Sequence, residues 1–318
     1  MNCKICGNSE NNKLYQIKEM FFGYRDKFEY FECQKCGCLQ ILNIPHNLYK
    51  YYPNDYYSYK KNFSRNIKRY FGKKRDEYVI FKKGLFGNII NHIAPSVYFE
   101  KMARANLEFD INTEILDVGC GSGLMLHSFS DIGFTKLTGV DPFIEDDIIN
   151  GYVKIYKKYI HELPANSIYD LIIFNHSFEH INDQLETLVK VSEILHDKGV
   201  CIISMPMKTN YIWKKYGTYW VQIDAPRHFI LHTLKSFELL VKKSGLSIRD
   251  FYFDSGGFQF YASEQYMRNI HLKSGNSYYI NPKRSIFTSK QIKNFNSKAK
   301  ELNRKNEGDT ATFYLVKT

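Results

Sequence analysis

Long apolar runs are absent from this 318-residue sequence: none approaches the roughly 20 residues that a membrane-spanning helix needs. The N-terminus also lacks a charged segment followed by an apolar one and a cleavage site, so export is not indicated and we expect a cytoplasmic protein. Tryptophan occurs only twice, but aromatic residues reach 16% and hydrophobic residues 44%, which is enough for a sizeable core. The length fits one large domain with an appendage.

Acidic residues are scarce relative to basic ones, 33 against 44, which gives a formal net charge of +11. The excess is uneven. Residues 60–83 contain ten Lys and Arg against Asp76 and Glu77, and a second basic run extends from Lys283 to Lys305. Such runs are typical of solvated helix faces or of nucleic-acid contacts. We favour solvated faces, because Lys, Asn, Ile and Tyr are used heavily throughout the chain.

The seven cysteines are an odd number, and four of them form two Cys-x-x-Cys pairs that are each followed by glycine. In a reducing compartment this spacing favours a metal over disulfides. Two such turns complete a tetrahedral Cys₄ zinc site in a small zinc-ribbon module over residues 1–45. A redox pair is the alternative, but redox Cys-x-x-Cys motifs normally open a helix. Cys38 is one thiol too many and is predicted to be a bystander. The predicted ligands are Cys3, Cys6, Cys33 and Cys36.

Composition and periodicity divide the chain into three regions, of which the ribbon is the first. After the ribbon, residues 46–110 contain "NLYKYYPNDYYSYKKNF" and a basic, aromatic, helical segment. Its aromatic side chains could stack on bases, but we expect them to cover the larger domain. Residues 111–318 form that larger domain. Within it, the stretch from residue 255 to about residue 305 is expected to be polar and mobile.

Strand-like and helix-like segments alternate from residue 111 to about residue 254, which predicts a doubly wound parallel sheet. The predicted strands are residues 115–118, "KLTGVD", "YVKIYK", "YDLIIFN" and "GVCIISMP", and "TATFYLVKT" adds a terminal strand. Apolar residues at helical spacing from Leu185 to Leu195 predict a helix with Gly199 as its C-cap signal. Ligands of such sheets bind beyond the carboxyl ends of the strands.

The stretch "ILDVGCGSGLML" joins the first of these strands to a helix through three glycines, and Asp117 precedes them on the strand. No Lys-Ser/Thr pair follows, which excludes a phosphate-binding P-loop. Asp141 ends the next strand roughly 20 residues later, as expected for a carboxylate that binds ribose hydroxyls. The dinucleotide fingerprint places its third glycine where this chain has Leu124, which argues against a pyrophosphate ligand. The three glycines are Gly119, Gly121 and Gly123.

These motifs resemble the class I S-adenosylmethionine-dependent methyltransferases. The matching segments are "ILDVGCGSGLML", "LTGVDP", "LPANSIYDLIIFNHSFEHI" and "EILHDKGVCIISMP", within residues 111–206. A subgroup also carries an N-terminal Cys₄ ribbon and a segment like "DAPRHFILHTLKSFELLVKKSGLSI". The resemblance implies an α/β, Rossmann-like, doubly wound seven-stranded sheet with a small zinc-binding module and a helical linker. It also implies O-methylation of a sugar or related small precursor of a cell-surface glycan, nucleotide-linked or phosphorylated.

The resemblance assigns cofactor residues one at a time. The three glycines would lie under the methionine part of S-adenosylmethionine, Asp117 would place its amino group, and Asp141 would hold the ribose. The acid that often pairs with the adenine amine is replaced by Tyr159, and Glu162 is the nearest substitute. Asn175, at the end of the fourth strand, completes the predicted cofactor site.

A hydroxyl acceptor needs a base, and histidine has the appropriate pKa. His176 and His180 follow the fourth strand, and His180 with Glu179 resembles the family's "EH" pair. His228 follows Arg227, which could pair with a phosphate. For each histidine a purely structural role is the alternative. The flat side chains of Trp220 and Tyr219 are predicted to contact the acceptor.

Two other functions remain open. An RNA or DNA methyltransferase would use the ribbon and the basic segment to hold nucleic acid, but its motif should read Asn/Asp-Pro-Pro-Tyr/Phe where this chain has "NHSF". A non-catalytic adaptor would keep a vestigial cofactor site, which the intact glycines and Asp141 argue against. Nucleic acid is therefore not an expected partner. The sequence indicates no oligomeric state.

Overall fold

The structure of the chain is a computed structural model that describes residues 1–52 and 66–318. Part of the tyrosine-rich link and the first residues of the basic run, 53–65, lie outside the described residues. The strands are β1 Lys13–Lys18, β2 Lys27–Glu32, β3 Leu39–Ile41, β4 Ile115–Val118, β5 Leu137–Val140, β6 Ile148–Asn150, β7 Val153–Tyr156, β8 Tyr169–Asn175, β9 Leu195–Pro206, β10 Ile230–Leu231, β11 Leu246–Phe253 and β12 Thr310–Lys317.

The helices alternate with these strands through most of the chain. They are α1 Asn66–Phe81, α2 Leu85–Ile93, α3 Val97–Ala103, α4 Leu124–Asp131, α5 Gln184–Ile194, α6 Asn210–Tyr216, α7 Leu234–Lys242, α8 Phe258–Met267 and α9 Ser289–Arg304. Short 3₁₀ helices occupy Leu48–Tyr51, Ile160–Glu162, Phe178–His180, Gly217–Tyr219, Val221–Ile223 and Pro282–Arg284. No helix within the described ranges is both long and apolar enough to cross a bilayer.

The large sheet has the strand order β11-β12-β9-β8-β4-β5-β7-β6. The five central strands, from β9 to β7, pair in parallel, and β12 joins β9 in the antiparallel direction. The predicted doubly wound α/β fold is therefore confirmed. The sheet has eight strands rather than seven among the described residues, because the short β6 adds an antiparallel edge beside β7.

Successive side chains along each strand point to opposite faces of this sheet, and apolar side chains cover both faces. This is typical of parallel sheets, which are buried on both sides. On β4, Leu116 and Val118 face one hydrophobic cluster, which also contains the apolar residues of the N-terminal ribbon. Ile115 faces the other cluster, formed with α1, α3 and α4. The ribbon thus packs on one face of the sheet, and the helices that precede β4 cover the other.

The N-terminal strands form a second sheet in the order β1-β2-β3-β10. Its last strand comes from beyond β9, with Ile230 opposite Gln40 and Leu231 opposite Leu39. The Thr233 hydroxyl, at the start of α7, also donates to the Cys36 carbonyl at 2.7 Å. The ribbon, expected to end at residue 45, therefore shares a sheet with β10, a strand of the region expected to form the larger domain.

Two expectations about local structure were wrong. The helix expected to be capped by Gly199 ends at Ile194, and Gly199 lies inside β9, where its missing Cβ leaves room for the Asp170 carbonyl oxygen. The stretch after residue 255, expected to be polar and mobile, contains the buried helix α8 and the helix α9. In α9 the Thr288 hydroxyl accepts a hydrogen bond from the Gln291 N–H, which caps the N-terminus.

Candidate active site

The loop between β4 and α4 keeps its three glycines in the left-handed region, with φ of +74° at Gly119, +53° at Gly121 and +72° at Gly123. A side chain would be strained at each position. At Gly119 a Cβ would also lie 2.5 Å from the Cβ of Ser177. The backbone of the loop therefore approaches the end of β8 closely.

Asp141, directly after β5, holds this loop in place. Its Oδ2 accepts a hydrogen bond from the Gly121 N–H at 2.8 Å, and its Oδ1 accepts one from the Phe143 N–H at 2.9 Å. Burial raises the pKa of the Asp141 carboxyl, and these two hydrogen bonds partly oppose that rise. Each oxygen retains a lone pair, so the carboxylate can still accept hydrogen bonds from a diol.

Asp117 lies on β4 beside Asp141 and is 3% exposed. Burial, followed by the neighbouring charge of Asp141, raises the pKa of Asp117 to about 7. Among the described residues no Lys or Arg contributes to the pKa of either carboxyl. Two buried acids without a basic partner favour a cationic ligand and oppose an anionic one.

A cavity of about 490 Å³ opens at the carboxyl ends of β4, β5 and β8; we call it the central cavity. Tyr52 and Phe143 both line it, with their rings stacked at 5.7 Å between centroids. Neither was predicted as a site residue. A neighbouring cavity of about 530 Å³ shares both aromatic residues and extends toward residues 145–148. The central cavity is lined by Gly119, Asp141, Ile160, His176, Ser177 and His180, among others.

S-adenosylmethionine fits these residues. Its sulfonium and amino groups are positive, which matches the two buried acids, and its ribose offers the diol that Asp141 can accept. The bare glycine backbone leaves room for a ligand at the N-terminus of α4. A dinucleotide would place two phosphate charges near the same acids, which is unfavourable.

Five of the seven predicted cofactor residues lie in or beside the glycine loop, but only two of the five line the central cavity; the five are Asp117, Gly119, Gly121, Gly123 and Asp141. Gly119 and Asp141 line the central cavity, while Asn175 ends β8 without lining it. Glu162 faces elsewhere: its Oε2 accepts the Tyr159 N–H at 2.6 Å and caps a 3₁₀ turn. The expectation that Glu162 contacts adenine is therefore not supported by its position.

His176 follows β8 with φ of +55°, a conformation that non-glycine residues rarely adopt. Its N–H donates to the Ser204 carbonyl of β9 at 2.8 Å, which fixes the turn. The side chain is 39% exposed and borders three cavities. One is the central cavity, and the second is a small cavity of about 140 Å³.

The third is a cavity of about 370 Å³, which we call the polar cavity. Lys101 and Asp254 form an ion pair in its wall at 2.7 Å. The other oxygen of that carboxyl, Asp254 Oδ1, and Gln259 Oε1 are buried acceptors without a hydrogen-bond partner among the described residues. Sequence reasoning missed both residues, because they fall at the edge of or within the stretch expected to be mobile.

His180 and His228 lie next to each other, with ring centroids 4.7 Å apart. The Nδ1–H of His180 donates to the Arg227 carbonyl at 2.9 Å, and that of His228 donates to the Gln222 carbonyl at 2.7 Å. Burial, followed by the charge of His228, lowers the pKa of His180 to about 4. Both rings border the small cavity.

The predicted acceptor contacts are not available in the structure. Arg227 is fully buried, and its Nε donates to Asp224 Oδ2 at 2.8 Å, so it cannot anchor a phosphate of the acceptor. Trp220 is 1% exposed and donates its indole N–H to Asp309 at 2.9 Å. Tyr219 is exposed but lines none of the cavities described above. Arg227 and Trp220 are therefore core residues.

The four predicted metal ligands converge in the ribbon: the Sγ atoms of Cys3, Cys6, Cys33 and Cys36 all lie within 4.8 Å of one another. The Cys3–Cys36 and Cys6–Cys33 distances are 3.6 and 3.5 Å. Tetrahedral Zn–S bonds of about 2.3 Å place sulfurs roughly 3.8 Å apart, so the donor set fits zinc. Cys38 is also close, 3.3 Å from Cys36.

The comparisons with known proteins indicate a methyltransferase. A family model described as "Methyltransferase domain" matches residues 65–250, more than half of the chain. The ubiquinone biosynthesis O-methyltransferase of Rickettsia canadensis (strain McKiel) is 29% identical over 187 residues, which cover 53% of this chain and 78% of that protein. That of Rickettsia bellii (strain OSU 85-389) is 30% identical over 138 residues, or 40% and 57%.

A third relative, the malonyl-[acyl-carrier protein] O-methyltransferase of Acetivibrio thermocellus, is 28% identical over 150 residues, which cover 45% of this chain and 47% of that protein. The chain thus spans about half the length of two of these three relatives. Among solved structures, a SAM-dependent methyltransferase from Archaeoglobus fulgidus aligns with 19% identity and a TM-score of 0.42, covering 74% of this chain and all of that one.

Proposed function

This chain belongs to the class I S-adenosylmethionine-dependent methyltransferases, and we propose that it methylates a hydroxyl oxygen of a small polyhydroxylated acceptor such as a sugar. The observation that carries the proposal is the polar cavity, which meets the central cavity at His176. Three curated relatives that match parts of the chain are named O-methyltransferases, which supports oxygen as the acceptor atom.

Two residues that line the polar cavity, Asp254 and Gln259, have buried oxygens that lack a hydrogen-bond donor. Within the described part of the chain nothing donates to Asp254 Oδ1 or Gln259 Oε1, a state that costs roughly 1–3 kcal/mol for each group. Hydroxyl groups of a bound acceptor would supply the missing donors. Among the described residues that line this cavity there is one Lys or Arg, Lys101, and it is already paired with Asp254. We therefore propose an uncharged polyol portion at this site and no phosphate there.

When bound, S-adenosylmethionine supplies the methyl group, which a class I site transfers by in-line displacement at carbon. Asp141 would hold the ribose, and Asp117 would neutralise positive charge of the ligand. His176 borders both cavities, so its imidazole would take the proton of the acceptor hydroxyl. The negative charge of Glu179, whose Oε1 lies 3.7 Å from His176 Nδ1, would stabilise the protonated imidazole that results.

The test is a comparison of acceptors, with release of S-adenosylhomocysteine as the readout. Free sugars and nucleotide-linked sugars should be methylated, and an aromatic hydroxyl compound or an amine should not. The variant Gln259→Met removes one orphaned acceptor at similar volume and should raise KM for the sugar about tenfold, with unchanged affinity for S-adenosylmethionine. Gln34→Met, at an exposed position, is the matched control. A higher kcat/KM for the aromatic compound or the amine would refute the proposal.

We propose in addition that Cys3, Cys6, Cys33 and Cys36 hold one structural zinc ion. Through the pairing of β3 with β10, the ribbon holds the segment that carries His228. The Tyr30 hydroxyl donates to the His228 carbonyl at 2.9 Å, which adds a second link. The zinc module would then stabilise one wall of the acceptor region rather than bind a separate partner.

The described part of the basic runs does not favour a nucleic-acid acceptor. On α1, the Arg69 Nε donates to Asp131 at 2.8 Å, and Lys74 pairs with Glu77 at 3.0 Å. On α9, Lys298 pairs with Glu301 at 2.9 Å. These three basic side chains lie on helix surfaces with acidic partners, which supports a small-molecule acceptor over nucleic acid.

A further inference from the structure

Three side chains with metal-binding atoms line the small cavity, and one of them, His180, also lines the central cavity. They are Glu179 and His180, from the turn after β8, and His228, from the segment before β10. One ligand atom of each lies within 4.8 Å of the other two. None is a thiol, so this cluster is distinct from the Cys₄ ribbon.

The hydrogen bonds of the two imidazoles prepare both for metal binding. His180 Nδ1 lies 2.9 Å from the Arg227 carbonyl oxygen, and His228 Nδ1 lies 2.7 Å from the Gln222 carbonyl oxygen. A carbonyl only accepts, so these two contacts favour a proton on Nδ1 in both rings. The Tyr52 hydroxyl oxygen, 3.1 Å from His180 Nδ1, can then accept from the same N–H but not donate to it. The lone pair of each neutral ring is then on Nε2. Metal-binding histidines are commonly oriented in this way by a backbone carbonyl.

Glu179 supplies the negative charge of the cluster. Its side chain is 2% exposed, and its Oε2 has no hydrogen-bond partner among the described residues. Its Oε1 lies 3.9 Å from His228 Nε2, too far for a hydrogen bond. Arg227, the neighbouring base, is bonded to Asp224 through its guanidinium. His176 Nδ1 also lies 3.7 Å from Glu179 Oε1, so three histidines surround this buried carboxylate. A bound cation would further offset the cost of burying its charge.

We propose that Glu179, His180 and His228 bind a divalent first-row transition-metal ion, with Zn²⁺ as the first candidate. Two imidazoles and one carboxylate are a donor set of catalytic zinc sites, which keep one position open. The open position would face the small cavity and could bind the acceptor oxygen. That role toward the acceptor rests on the proposed function, whereas the binding of the ion does not.

Cobalt(II) is the probe for this site, since it reports its ligands by absorption. Protein whose ribbon retains about one equivalent of zinc is dialysed free of other metal and titrated with Co²⁺. We expect one further equivalent of cobalt per chain, with ligand-field bands but no thiolate-to-cobalt charge-transfer band. X-ray absorption at the cobalt edge should show only nitrogen and oxygen ligands. Cobalt that enters the ribbon would instead show sulfur.

Variants assign the ligands. Glu179→Gln and His228→Gln should each weaken binding of this cobalt by at least about 100-fold. His196→Gln, which changes a half-exposed histidine outside the cluster, should leave cobalt binding unchanged. Thermal unfolding and S-adenosylmethionine binding report whether each variant is folded. If neither variant folds, the spectrum of the wild-type protein alone decides.

The proposal would be overturned if the only cobalt bound were cobalt with sulfur ligands, in the ribbon. It would also be overturned if both variants folded and bound cobalt as tightly as the wild-type protein. In either case the cluster would be a carboxylate with two neighbouring imidazoles and no metal. The outcome is separate from that of the acceptor test. A protein that binds the second ion yet prefers an amine acceptor would refute only the proposed function.

Discussion

Asp141 Oδ2 accepts the Gly121 N–H at 2.8 Å, so the acid that ends one strand of the sheet shapes the glycine loop that follows the neighbouring strand. The parallel pairing of β4 with β5 sets this contact, since it places Asp117 opposite Gly139 and brings both strand ends to the same edge. One carboxylate therefore has two roles, as a support of the loop and as the predicted ribose contact.

Asp141→Ala should weaken S-adenosylmethionine binding about 10- to 100-fold, because a hydrogen bond to a charged group contributes roughly 1.5–3 kcal/mol. Calorimetry measures the change, with the exposed Asp197→Ala as control. Asp141→Asn should lose less, because its amide oxygen can still accept one of the two backbone N–H groups. Affinity within twofold of the wild-type value in the alanine variant would show that the ribose is held elsewhere.

The affinity for S-adenosylmethionine should rise with pH and then level off near pH 7. Burial raises the pKa of Asp117 to about 7, so below that pH the free protein holds a neutral carboxyl that must lose its proton to face a cationic ligand. Below about pH 7 the affinity is expected to increase by up to tenfold for each unit of pH. The same raised pKa means that Asp117 destabilises the free protein as pH rises from about 4 to 7.

Asp117→Asn should remove this slope and lower the affinity at pH 8, and Asp197→Asn should change neither. Calorimetric titrations at several pH values in buffers of different ionisation enthalpy also count the protons released on binding. A flat affinity profile in the wild-type protein, with no proton release, would contradict the prediction.

Much of the site was predictable because its residues are close to strand ends that carry strong local signals. The glycines of residues 119–123 and Asp141 follow buried apolar runs, and topology alone places such positions together. His176 and His180 were found for the same reason. The four ribbon cysteines were found because a tetrahedral site needs their spacing.

The rest depended on contacts that local patterns do not encode. Helix α8 is buried around most of its circumference, so it has no apolar stripe to reveal it, and Gln259 within it could not be predicted. Arg227 was predicted to pair with a phosphate of the acceptor, because a guanidinium binds phosphate well. Asp224, its ion-pair partner, is only three residues away in the sequence. The sequence does not reveal, however, that the distant Phe21 stacks on the guanidinium, whose carbon lies 4.2 Å from the ring centroid.

His176→Asn should lower kcat by about 10²- to 10⁴-fold with unchanged affinity for S-adenosylmethionine, as expected when a proton acceptor is removed. His176 alone among the three candidate histidines borders the central, small and polar cavities. His196→Asn is the control, and the KM for the acceptor should change little. A loss below about tenfold would mean that alignment without this histidine suffices for transfer.

The zinc ribbon provides the last prediction, which separates its four expected ligands from the fifth thiol. Cys33→Ser should lower bound zinc by about one equivalent relative to the wild-type protein, measured by elemental analysis of both proteins purified without added metal, whether or not a second ion is bound outside the ribbon. It should also lower the unfolding temperature by at least about 5 °C, because a structural zinc contributes to folding directly. Cys38→Ser should retain the zinc, although Cys38 Sγ lies 3.3 Å from Cys36 Sγ. Loss of zinc in Cys38→Ser and retention in Cys33→Ser would show that Cys38 is a ligand. Since β3 of the ribbon pairs with β10 beyond His228, the zinc-depleted variant should also lose methyl transfer at temperatures where it stays folded.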